Sequence, residues 1–222
     1  MDINMKEKVK STLLVVAFMV FYLVCFSYLE NRTGVKIHYL QINLDYRIPF
    51  CEYFIIPYFL WFPYVAVTVL YFLYFNKTRG EFYQLAVSLG IGMTLFLLIS
   101  YVFPNGQQLR PYSFPRDNVF TDMVIALYKT DTSTNVMPSI HVFNSMACCY
   151  AIWESKSLKN NWIVRIAAWI LTVLIILATM FLKQHTILDV AAGLLLGKIC
   201  WFFMYRFKAQ RETALEYERI KK

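Results

Sequence analysis

Apolar runs about 20 residues long, parted by polar segments, fill most of this 222-residue chain. A hydrocarbon core about 30 Å thick takes about 20 residues of helix to cross. By that measure the runs at 11–29, 53–75, 82–103, 139–154, 162–181 and 186–206 predict six membrane helices. The fourth is the shortest and carries Asn144 and Ser145. Helices are the expected form, because backbone exposed to lipid must satisfy its own hydrogen bonds. The expected fold is all-α: a polytopic bundle of six transmembrane helices in a single membrane domain over 1–222, ending in a basic cytoplasmic tail at 207–222. The first run resembles a signal-peptide core, but Glu30-Asn31-Arg32 follows it where a small-residue cleavage site would stand, so it reads as a retained span.

Two polar stretches break the pattern. The segment 104–138 is too long for a simple connection. Inside it Val119, Phe120, Met123, Val124, Leu127 and Tyr128 recur at helical spacing, with Asp117 or Asn118 in place to cap them. This predicts a short interfacial helix in the third loop, apolar face down. The earlier stretch, 30–52, carries Asp45, Arg47, Pro49 and Phe50 and reaches the same side of the bundle.

Composition agrees with a bilayer protein: 59% of residues are hydrophobic and the mean hydropathy is +0.47. The net charge of +8 sits at the ends of the apolar runs, which reports orientation and contact with anionic membrane lipids rather than nucleic acid. Lys6, Lys8, Lys10, Lys77, Arg79, Lys156, Lys159, Arg165 and the tail would share the cytoplasmic side. Arg32, Lys36, Arg47, Arg110, Arg116, Lys129 and Lys183 would lie opposite, several of them as candidate phosphate ligands. Both termini are then cytoplasmic. The five cysteines lack metal-site spacing and read as small buried hydrophobes.

The candidate chemistry gathers at two run boundaries. In Lys183-Gln184-His185-Thr186-Ile187-Leu188-Asp189 the carboxylate stands at i+4 from the imidazole, where it could hold Nδ1–H and leave the Nε2 lone pair free. Such a histidine serves as nucleophile or base; a capping aspartate beside a headgroup-level histidine is the plainer alternative. In Pro138-Ser139-Ile140-His141 the proline suits the first turn of a helix, so two helix N-termini would offer backbone N–H groups to one anion. Ser139 adds a hydroxyl, Ile140 a backbone N–H, and His141 a proton for a leaving alkoxide. Arg110 can grip two phosphate oxygens and Lys183 can add a point charge. No zinc or magnesium ligand spacing and no glycine-rich phosphate loop occurs, so a mechanism without metal or cofactor is expected.

In this order, Arg110-Pro111, Pro138-Ser139-Ile140-His141, and His185 with Asp189 resemble the three motifs of the type 2 phosphatidic acid phosphatase (PAP2) superfamily: K-x6-R-P, P-S-G-H and S-R-x5-H-x3-D. The resemblance covers about 45–197 and implies a PAP2-type bundle. Asp45 to Trp61 and Lys183-Gln184-His185 look like a bacterial branch, close to the lipid phosphotransferases that make inositol- and choline-phosphorylated ceramides. Phe103 replaces the lysine of the first motif, Ile140 the glycine of the second, and Ala178-Thr179 the Ser-Arg pair of the third. The resemblance implies a phosphatase in a bacterial plasma membrane, acting on a lipid phosphate at the outer face. His185 would be the nucleophile, His141 the acid, Asp189 the orienting carboxylate, with Arg110, Lys183, Ser139 and Ile140 around the phosphate. Transfer to a lipid alcohol is the alternative, and a non-catalytic lipid binder the second.

Overall fold

The structure, a computed structural model, describes residues 5–207; the rest of the expected basic tail lies outside the described residues. Helix α1 (Met5–Glu30) is followed by a short strand β1 (His38–Tyr39), α2 (Asn43–Arg47) and a 3-10 turn (Glu52–Phe54) that runs into α3 (Ile55–Leu70). A π-helical turn (Tyr71–Phe75), α4 (Arg79–Val102), β2 (Asn105–Gly106), α5 (Val119–Thr130), α6 (Ile140–Glu154), α7 (Trp162–Phe181) and α8 (Ile187–Trp201) complete the path. A second π-helical turn, Phe202–Phe207, prolongs α8.

Five described helical stretches are long and apolar enough to cross a membrane: Met5–Glu30, Glu52–Phe75, Arg79–Val102, Trp162–Phe181 and Ile187–Phe207. That makes the chain an integral membrane protein with an α-helical fold. The expected fourth span corresponds to α6, whose 15 residues fall short of the length of the others. It also differs from them in burial: nine of its residues are buried, against three of 26 in α1. Helix α6 is the hub, packed on α3, α4, α7 and α8, whereas α1 leans on α4 and on the turn after α3.

Small residues permit that crowding, as they do wherever helices pack in lipid. A Cβ added to Gly92 of α4 would meet the buried ring of Phe143 on α6 at 2.0 Å. One added to Gly193 of α8 would meet the carbonyl oxygen of Ser139 at 2.8 Å, and Gly197 sits over Met146. Two residues before Gly92, Gly90 faces open space. Gly92→Leu should therefore cost about 1–3 kcal/mol of overpacking and lower the melting temperature in detergent, while Gly90→Leu leaves it unchanged. Equal melting of the two variants would refute the packing assignment.

The polar segments at the His185 end are stitched together. β1 pairs with β2 in parallel, His38 opposite Asn105, and Gly106 bridges to Thr134. Asn105 Oδ1 accepts from the amides of Val136 and Met137, fixing the approach to α6. Glu30, at the end of α1, accepts from Thr132 Oγ1 and Asn135 Nδ2. Of the two caps foreseen for α5, Asn118 is used: its Oδ1 accepts from the amides of Phe120 and Thr121. α5 lays Val124 and Leu127 on Ile55, Tyr58, Ala178 and Leu182, covering the ends of α3 and α7.

Candidate active site: two histidines on a buried carboxylate

His185 is placed by the end of one helix and the start of the next. α7 closes in a Schellman motif, with Lys183 N–H donating to the Met180 carbonyl and Gln184 N–H to that of Thr179. The left-handed residue, at φ 53°, is Lys183, where glycine is usual. α8 then opens with a capping box: Thr186 Oγ1 accepts from Asp189 N–H, and Asp189 Oδ2 accepts from Thr186 N–H at 2.8 Å. His185 thus precedes α8 rather than sharing a helical face with Asp189. The capping box, not the i+4 spacing, brings them together.

The two ring nitrogens of His185 divide between two partners. Nδ1 lies 3.4 Å from Asp189 Oδ2, and Nε2 lies 3.4 Å from His141 Nδ1. His185 is 8% exposed and Asp189 0%. His141 is walled by aromatic rings of α3: Tyr58 at 4.7 Å and Trp61 at 4.4 Å between centroids. The structure therefore brings His141, His185 and Asp189 into one relay, with His185 in the middle.

The α6 N-terminus differs from expectation in where Pro138 and Ser139 fall. The helix begins at Ile140, with Ser139 as N-cap; Ser139 Oγ accepts from Val142 N–H at 3.4 Å, and the residue is fully buried. Pro138 lies before the helix rather than in its first turn. The amides of Ile140 and His141 carry no partner among the described residues, as first-turn amides do. The α8 N-terminus is partly used: Ile187 N–H donates to Asp45 Oδ1 at 2.8 Å and Asp189 N–H to Thr186. The α6 N-terminus thus offers two amides without a partner among the described residues, those of Ile140 and His141, and the α8 N-terminus one, that of Leu188.

Both expected phosphate cations face carbonyl oxygens. Lys183 Nζ donates to Asp45 O at 2.7 Å and Ile48 O at 2.5 Å, clamping the loop around α2 to the end of α7. Desolvation there pulls its pKa below the ordinary lysine range, against a smaller opposing pull from Asp45. Arg110 donates to the carbonyls of Tyr128, Asp131 and Thr132 and to Gln184 Oε1 at 2.6 Å, its guanidinium over the Tyr128 ring. Burial lowers the Arg110 pKa, and Asp131 pulls it back up. Arg110 reaches the relay through Gln184, the neighbour of His185; Lys183 is turned toward the loop at Asp45. Arg116 pairs with Glu52 at 2.6 Å.

Several residues near the relay were not singled out for the site from the sequence. Tyr58 Oη donates to Asp131 Oδ2 at 2.9 Å, and Gln184 Nε2 approaches the same oxygen at 3.5 Å. Aromatic residues at 58 and 61 in an apolar run look like ordinary lipid-facing groups, so only the packing reveals them. Asp45 gave a weak signal, an acid in the loop before a span. At the departures from the motif pattern, Phe103 stacks on His38 at 4.7 Å, while Ala178 and Thr179 are fully buried.

Residues 84–212, over half of the chain, match the PAP2 superfamily. The chain belongs to that superfamily, whose members are typically phosphatases or related phosphotransferases. No curated protein and no solved structure matches it. The matched stretch contains Arg110, His141, His185 and Asp189; Asp45, Tyr58 and Trp61 precede it.

Proposed function

We propose that the protein is a lipid-phosphate phosphatase working through a phosphohistidine on His185. The position of His185 between Asp189 and His141 carries this reading. Asp189 would hold the Nδ1 proton, leaving Nε2 to attack phosphorus. The Nε2–P bond forms as the P–O bond to the lipid breaks, and His141 gives its Nδ1 proton to the departing alkoxide. Water then attacks phosphorus while His141 takes a proton from it, and the Nε2–P bond breaks to release phosphate. The Ile140 and His141 amides at the α6 N-terminus would receive phosphate oxygens, with Arg110 and Gln184 beside them. Ser139 and Asp189 support the site as helix caps.

The setting follows the same reading. α6 would complete a bundle of six spans, and α5 would lie along the interface over the site. Lys6, Lys8, Lys10, Lys77, Arg79, Lys156, Lys159 and Arg165 flank helix ends opposite the relay, which favours cytoplasmic termini and an outward-facing site in a bacterial plasma membrane.

Transfer to a lipid alcohol is the second reading, favoured by the scant exposure of His185 and the covering α5, which keep water scarce. It corresponds to the resemblance to the phosphorylceramide-forming transferases. A non-catalytic lipid binder is the third, favoured by the engagement of Arg110 and Lys183 with carbonyls. Radiolabelled lysophosphatidate, quenched in base where phosphohistidine survives, tests the first step: label should stay on the wild-type protein and not on His185→Ala. Free phosphate as the product supports hydrolysis, and a new labelled lipid in the presence of ceramide or diacylglycerol supports transfer. The absence of both label and turnover across lipid phosphates would leave only the binder.

Gly193 gives an independent check on the relay. A side chain there would press on the Ser139 carbonyl and push the start of α6 from α8, widening the 3.4 Å gap between the histidines. Gly193→Val should lower kcat by about tenfold or more, since small misplacements of reacting groups are costly. Unchanged kcat would argue against a working histidine pair.

A further inference from the structure

Below the histidines lie two polar atoms without partners. Asn144 is 3% exposed, yet its Oδ1 accepts no hydrogen bond; the buried Nε1–H of Trp61 donates none. Nearly all buried polar groups are paired, so two orphans of opposite kind near one centre call for a reason. Trp61 touches His141 directly, and Asn144 follows His141 by three residues on α6. Going around α6, Asn144 falls about 40° from Ile140 and about 60° from His141. Ile140 packs with Tyr22 and Phe96 of α1 and α4, while His141 packs on Tyr58 and Trp61 of α3. Asn144 is therefore directed at the seam between those two groups of helices, on the side where Trp61 stands.

Depth gives the seam its meaning. α6 starts at the relay end, so Asn144 lies about 4.5 Å further into the bundle than His141. Trp61 likewise follows the start of α3 by six residues. With a phosphate at His185, a lipid body that runs into the bundle from the relay end would bring the atoms a few bonds from phosphorus to the depth of Trp61 and Asn144. An acceptor and a donor facing such atoms in a water-poor place suit a group that both donates and accepts: a hydroxyl or a secondary amide. A purely hydrocarbon chain would leave both orphans unpaired, and an ester could serve only the tryptophan.

We infer that Trp61 and Asn144 form an intramembrane subsite that selects lipid phosphates carrying a hydroxyl or amide N–H close to the phosphate, over isoprenoid and fully esterified ones. The inference rests on the lipid-phosphate reading of the histidine pair. Two lipid types offer the required chemistry, a monoacylglycerol phosphate through its hydroxyl and a ceramide-type phosphate through its amide.

Binding of non-hydrolysable phosphonate analogues to the purified full-length protein in detergent tests this without requiring turnover. Two matched pairs serve: a monoacylglycerol phosphonate against its deoxy analogue, and a ceramide-type phosphonate against its N-methyl analogue. At least one pair should show about a tenfold preference for the member with the donor, and the preferring pair names the lipid. Asn144→Leu should bring that preference toward unity in either pair, and Trp61→Phe should do so for the monoacylglycerol pair, whose deoxy analogue loses the acceptor as well. Ratios near one in the wild type for both pairs, or a preference untouched by Asn144→Leu, would overturn the subsite. Wild-type ratios near one overturn the subsite even where a variant fails to fold, and Trp61→Phe or Asn144→Leu, whichever folds, reads the location of a preference. Failure of the phosphatase reading shows separately, as turnover of lysophosphatidate that survives His185→Ala, or as no turnover on any lipid phosphate.

Discussion

His185→Ala is expected to lower turnover of lysophosphatidate by about four orders of magnitude or more, because removing a nucleophile removes the pathway and not merely one contact. Vanadate should still bind to the variant, since the α6 amides and Arg110 are left in place. Asp189→Asn should act differently. Its carboxylate serves His185 at 3.4 Å but also accepts from Thr186 N–H at 2.8 Å and from Thr186 Oγ1 at 2.7 Å. The asparagine variant should therefore lose both activity and melting temperature, whereas His185→Ala loses activity alone. Activity within tenfold of wild type in His185→Ala would end the phosphohistidine mechanism.

Lys183→Met is expected to fail in stability before it fails in anion binding. The ammonium satisfies the carbonyls of Asp45 and Ile48, and the methionine leaves both without that donor, at a cost of about 1–3 kcal/mol. Losing the clamp also loosens Asp45, whose Oδ1 caps Ile187 and so steadies the start of α8. Thermal denaturation in detergent should show a clear drop, with inhibition by vanadate retained within about threefold. The opposite pattern, normal melting with vanadate inhibition weakened tenfold, would return Lys183 to the phosphate.

These outcomes bear on what the sequence could disclose. The apolar runs announced their helices plainly, because crossing a bilayer imposes length and hydropathy on the chain itself. α6 was harder to read: it is short, and its polar Asn144 and Ser145 are buried among four helices, a setting that one-dimensional hydropathy does not register. The short helix at Val119–Thr130 was legible from its apolar spacing, while the choice of Asn118 over Asp117 as cap required local geometry. The histidines stood out through their company, His141 beside Ser139 and His185 ahead of Asp189.

The hydrogen-bond partners of the cations were not legible. Lys183 two residues before His185 looks like a phosphate ligand in one dimension, but the left-handed turn that ends α7 sends its side chain to the α2 loop. Arg110 likewise finds three carbonyls and Gln184, because the loop after α5 folds back over it. Tyr58 and Trp61 carry no local mark of function at all.

By itself, then, the sequence determined that this protein carries several helices long and apolar enough to cross a membrane, and that two histidines and a carboxylate stand at the boundaries of its apolar runs. Those properties are written in length, hydropathy and the order of motifs. Tertiary structure alone decided which ring nitrogen of His185 meets which partner, that Asp45 accepts from the first amide of α8, and that Asn144 Oδ1 and Trp61 Nε1–H stand unpaired beneath the relay. Such assignments depend on contacts between residues far apart in the chain, and packing around α6 is what brings them together.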